Sequence, residues 1–202
     1  MFKITLLDRF FLLATVLLAA WQVAVGINGM DTLPMIAYTV GFGVLLVAGL
    51  LLIILGFDAL ESPVVAILST VIPLSLSLGL VWEHLPVYRI LYLVFTIFGF
   101  VSIVITRSIP LKNKLPVIVL AGVHGIAGVI IFLLPFFLSF TGRAAPGFSL
   151  VGLGGALIGL EGLLLSFLKA GKPILSRNTT LKIMPGLLLL TTAAFVLGFS
   201  AT

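Results

Sequence analysis

The chain has 202 residues, of which 61% are hydrophobic and only 8% charged, with a mean hydropathy of +1.39. Soluble domains carry roughly 25% charged residues, so this surface suits lipid rather than water, and the length fits a single transmembrane domain, 1–202. With no cysteine, disulfides, thiolate metal sites and cysteine nucleophiles are excluded. The net charge of +5 does not mark a nucleic-acid binder, because the basic residues lie in short segments between apolar runs with no interleaved aromatics.

A spanning helix needs about 20 mostly apolar residues. Seven runs qualify: 4–27, 34–57, 63–82, 88–106, 115–140, 146–170 and 183–199. The expected fold class is therefore an all-α integral membrane protein, a seven-transmembrane-helix bundle. Run length argues for helices, since a barrel strand needs only about 10 alternating residues. The first run follows Lys3 and Arg9 as a signal peptide would. Its apolar stretch exceeds the usual 7–15 residues, so a retained helix is expected.

The breaks hold loop formers and charges: Asn28 to Asp31, Asp58 to Ser62, Ile109 to Lys114, Thr141 to Arg143 and Ser176 to Asn178. Glu83-His84-Leu85-Pro86 forms the one tight boundary. Pro34, Pro63, Pro116 and Pro146 stand near helix starts, where a missing amide donor costs little. Pro135 falls late in the fifth run and should kink it. Pro185 is expected in the first turn of the seventh helix.

Orientation follows from Lys and Arg. With the N-terminus inside, cytoplasmic segments hold Lys3, Arg9, Arg107, Lys112, Lys114, Lys169, Lys172, Arg177 and Lys182, nine residues against Arg89 and Arg143 outside. The expected orientation is N-terminus in and C-terminus out, with the basic loops toward anionic lipids. A multi-pass protein of a plasma membrane is the matching localisation. Trp21 and Trp82 fit an outer interfacial belt.

Val40-Gly41-Phe42-Gly43 resembles Val151-Gly152-Leu153-Gly154 at an offset of about 111 residues, and Pro73 and Pro185 follow in the next runs. Because the offset spans four helices, both copies would share one orientation. This reads as a possible 3+1+3 parallel pseudo-repeat. Chance matching of apolar, glycine-rich helices is the competing explanation.

Small residues make a second pattern. Gly152, Gly155, Gly159, Gly162 and Ser166 fall on one face of the sixth helix, and Ala121, Gly125 and Gly128 repeat the spacing in the fifth. Such stripes let helices approach closely in a membrane. Tight packing is the expected role, with a sliding seam as the alternative.

Ionisable residues at mid-membrane need a reason to be there. His124 lies nine residues past Leu115, and Glu161 nine before Ala170. Both stand about 13 Å deep on consecutive antiparallel helices. A pair there could share a proton or meet a cationic substrate. Two structural readings compete: a buried pair fixing register, or His124 on a backbone carbonyl and a protonated Glu161 on a serine or threonine. Glu161 points about 130° away from the glycine stripe on a helical wheel. Asp8 and Arg9 lie about one turn inside the first helix. Arg9 can snorkel, and Asp8 is expected to pair with a lysine or to cap. Glu83, His84 and Arg89 read as a solvated surface cluster.

No cofactor is expected. His84 and His124 sit at different depths, so neither a zinc set nor a haem pair forms. Hydrolase, zincin and phosphate-loop signatures are missing. The 3+1+3 plan resembles sugar and vitamin transporters with parallel repeats, whose tryptophan-rich and proline–glutamine motifs are not evident here. The Gly122, Gly128, Pro135 spacing is similar to small bacterial acid-resistance membrane proteins but carries no residue roles across. Three functions stay open: a small-solute or ion/proton transporter using His124 and Glu161; a non-catalytic helical subunit of a larger membrane complex or homo-oligomer; and a lipid-acting enzyme using Glu83 and His84.

Overall fold

A computed structural model describes residues 4–27, 29–109, 114–169 and 171–201; Lys3, Asn28, Lys112 and Ala170, invoked above, lie outside them. Among the described residues there are seven helices long and apolar enough to cross a membrane. They are α1 (Leu6–Val25), α2 (Thr32–Leu55), α3 (Pro63–His84), α4 (Arg89–Ser108), α5 (Leu115–Phe140), α6 (Ser149–Lys169) and α7 (Arg177–Phe199). Short 3₁₀ turns at Gly56–Glu61, Pro86–Tyr88 and Pro146–Phe148 tighten three of the connections.

Local chemistry sets the ends. Asp8 caps its own helix: Thr5 donates its backbone N–H and its hydroxyl to Asp8 Oδ2 at 2.9 and 2.8 Å, while Asp8 N donates to Thr5 Oγ1. This is a capping box, which satisfies amides that lipid cannot. Gly26 and Gly56 close α1 and α2 with φ of 69° and 74°, a region that side chains avoid.

The sequence reading placed the start of the seventh helix too late. Helix α7 begins at Arg177, where Ser176 Oγ accepts from Thr179 N. Polar Asn178, Thr179 and Lys182 hid this first turn, but Leu181 and Met184 give it a buried face. Pro185 therefore lies inside the helix, not in its first turn, and so does Pro73 in α3.

Helices α1–α2–α3–α5–α6–α7 touch in that order, and α7 closes back on α1. Helix α4 stands outside this ring, against α3 and α5. Half of the spanning window is buried in α3 and α7, against 22% in α4 and 17% in α5. The centre therefore belongs to α3 and α7, which also carry buried Thr70, Ser75, Ser77, Thr180, Thr191 and Thr192.

Three apolar clusters fill the interior, the smallest being Leu74, Ile103, Val123 and Ala127 between α3, α4 and α5; the other two lie at opposite ends. One gathers Tyr38, Phe42, Phe148, Phe195 and Phe199 toward the Arg89 end. The other gathers Leu12, Leu52, Leu164, Leu181 and Met184 toward the opposite end.

Candidate functional site

Glu161 lies in the middle of α6 and is 5% exposed. Its partner is on the next helix: Thr191 Oγ1 donates to Glu161 Oε1 at 3.0 Å. Thr191 is fully buried. A carboxyl in hydrocarbon is costly unless hydrogen-bonded, and here a single hydroxyl meets it.

The layers around this contact are apolar. One turn from Thr191 toward the Arg89 end stands Phe195, whose ring lies where a side chain on Gly154 would begin, 2.6 Å from an ideal Cβ. Phe42 meets the rings of Phe195 and Phe199 edge-on at 6.5 and 6.1 Å. On the other side, Leu164, one turn from Glu161, packs with Leu12, Leu52, Leu181 and Met184. Glu161 and Thr191 are thus enclosed between an aromatic and an aliphatic layer.

His124 does not pair with Glu161. Its Nδ1 contacts the carbonyl of Leu120, one turn back, at 3.1 Å. A carbonyl only accepts, so this nitrogen carries the proton. The two groups stand on neighbouring helices but meet different partners. The sequence expectation of a carbonyl for His124 and a hydroxyl for Glu161 describes the contacts; the shared-proton pair does not.

The Glu83, His84 and Arg89 side chains are half-buried rather than fully solvated. The His84 ring lies 5.3 Å from that of Phe148. Arg89 Nε donates to the Trp82 carbonyl at 2.6 Å, and the guanidinium covers the Trp82 ring. Its other neighbour is Asp31, at 3.7 Å. Glu83 Oε2 and His84 Nε2 are buried without a hydrogen-bond partner among the described residues, and so is the hydroxyl of Tyr38. Adjacent residues on a helix diverge by about 100°, so Glu83 and His84 do not share one face. Tyr38 was missed because one tyrosine in an apolar run carries no pattern.

The glycine stripe divides. A side chain on Gly152 would meet Phe136 and the Phe132 carbonyl at 2.7 and 2.8 Å, and one on Gly155 would meet the Ile131 backbone at 2.9 Å. Gly159, Gly162, Gly125 and Gly128 have nothing within 4 Å, so the packing expected of them is absent. Gly41 faces Leu76 on α3, whereas Gly152 faces α5. The four-residue match that suggested the repeat therefore does not correspond in packing.

Among the described residues no group of three His, Asp or Glu side chains is placed to hold a metal. Comparison with known protein families, curated proteins and solved structures finds no match. The class that the fold defines is the coarse one: an all-helical chain whose seven apolar helices are compatible with a multi-pass membrane protein.

Proposed function

We propose that the chain is a proton-linked carrier of a small solute, a single transmembrane domain of two three-helix halves with α4 as linker. The observation that carries this reading is an exchange symmetry in the helix contacts. Replacing α1, α2 and α3 by α5, α6 and α7 turns the contacts α1–α2, α2–α3 and α3–α5 into α5–α6, α6–α7 and α7–α1. Helix α4 is the one left outside. The third helix of each half carries an internal proline and buried hydroxyls. A proline frees a backbone carbonyl and allows bending, which two halves rocking about a central site require.

In this reading Glu161 takes the proton and Thr191 holds its carboxyl toward α7. The enclosing layers make this an occluded state. His124, held on its own helix by the Leu120 carbonyl, is not the second half of a proton pair. The Lys and Arg bias supports the N-terminus in the cytoplasm of a plasma membrane, with Lys114, Lys172, Arg177 and Lys182 toward anionic headgroups.

The test is the full chain in liposomes loaded with a pH-sensitive dye, challenged with panels of sugars, amino acids and organic acids. A solute-evoked proton flux is expected, falling by about tenfold or more in Glu161→Gln, as loss of an essential proton carrier requires. A flux unchanged in Glu161→Gln would sink the proposal.

A second reading, a helical subunit of a larger membrane complex, is favoured by the exposed apolar flank of α4 and α5. It expects no flux with any solute and co-purification with a partner that shields this flank.

A further inference from the structure

Helices α4 and α5 touch where Gly99 receives Val123; a side chain on Gly99 would begin 3.2 Å from both Val123 methyls. Ile103, Ala127 and Leu74 seal the same contact. Toward the Arg89 end the two helices leave a cleft of about 370 Å³ between them. Its walls are Leu91 and Phe95 on one side and Ile126 and Ile130 on the other, with Val81 of α3 and Leu85 just past its end as the floor. The phenol of Tyr92, whose ring also lines the cleft, donates to Ser77 Oγ at 2.9 Å and so offers the cleft no polar group.

A space this large is not left empty, since lining atoms without partners forfeit their dispersion contacts. Water finds no hydrogen-bonding partner in it. From Tyr88 at the mouth to Phe95 the wall runs seven residues, about 10 Å of helix. That is comparable to the half-thickness of the hydrocarbon, about 15 Å. Tyr88 lines the mouth, and Arg89 and Trp82 follow the lining residues Tyr88 and Val81 in the chain; all three are residue types of the lipid headgroup level. Arg89 is pre-oriented there by the Trp82 carbonyl and ring. Asp31 touches only one of its terminal nitrogens, at 3.7 Å. The other N–H groups of the planar fork are suited to phosphate oxygens.

We propose that this cleft is a phospholipid site: one acyl chain lies between α4 and α5, and the phosphate rests on Arg89. The site is independent of the transport reading, since Glu161 lies on another seam.

The experiment is native mass spectrometry of the full chain, purified in mild detergent and titrated with phosphatidylglycerol or with a diacylglycerol of the same chains. The wild type is expected to retain one phosphatidylglycerol and to hold the diacylglycerol far less. Ile126→Trp fills the cleft from a half-exposed position and is expected to reduce retention on the order of tenfold. Leu133→Trp, exposed on the same helix and away from the cleft lining, controls for folding and should retain the lipid. Arg89→Gln should remove the preference for phosphatidylglycerol over diacylglycerol. Equal retention by Ile126→Trp and wild type, or no retained lipid in the wild type, would overturn the site. Loss with Ile126→Trp but not with Arg89→Gln would overturn the phosphate contact.

Discussion

Along α6, Gly152 and Gly155 lie against α5, while Gly159 and Gly162, further along the same helix, have no atom near the point where a side chain would start. The spacing of small residues is the same in both halves, and the surroundings are opposite. The cause is in α5. Its Phe132 and Phe136 half leans on α6, while around Val123 it leans on Gly99 of α4. A glycine stripe permits close approach, but a neighbouring helix that must satisfy two partners decides where the approach happens.

The comparison assumes that the two ends of α6 lie at opposite faces of the membrane. A chain without cysteine makes this direct to test. Single-cysteine variants Thr141→Cys and Lys172→Cys, both at exposed loop positions, are expected to react with an impermeant thiol reagent from opposite sides only. Labelling of both from one side would break the assignment of spans.

Next in size is Gly152→Ala. Its methyl would collide with a backbone carbonyl and an aromatic ring, and overpacking of this kind costs about 1–3 kcal/mol. Thr191→Val should cost about 1–3 kcal/mol by leaving the Glu161 carboxyl without its hydroxyl. Thr5→Ala, which removes the capping box of α1, should cost about 1 kcal/mol. Gly159→Ala should lie within about 0.5 kcal/mol of wild type or gain slightly, because it relieves glycine's poor helix propensity without a clash. Unfolding in mixed micelles checks all four. A Gly159→Ala loss as large as that of Gly152→Ala would show that a partner covers this half of α6.

The spans were legible because hydropathy over about 20 residues is a strong signal. Five helix starts fell within two residues of the expected ones and the sixth within three, a scatter that assignments of helix ends share. The seventh was late because Arg177 to Thr180 are polar at the head of a helix and read as loop. Rotation about the helix axes was not legible: nothing in the sequence tells that His124 meets the Leu120 carbonyl and Glu161 the hydroxyl of Thr191. The hydroxyl partner was foreseen as a type but not as a position, since α7 carries several threonines. The order of helix contacts was not legible, and the tetrapeptide that suggested a repeat packs differently in its two copies.

The central claim is that the Glu161 carboxyl changes its protonation during the working cycle. Infrared difference spectra of the reconstituted chain, recorded on adding an active solute, test this most directly. The account predicts a carboxyl band that is abolished in Glu161→Gln and displaced in Thr191→Val, where the hydrogen bond is gone. A difference spectrum with no carboxyl band, or one that survives Glu161→Gln unchanged, would contradict it.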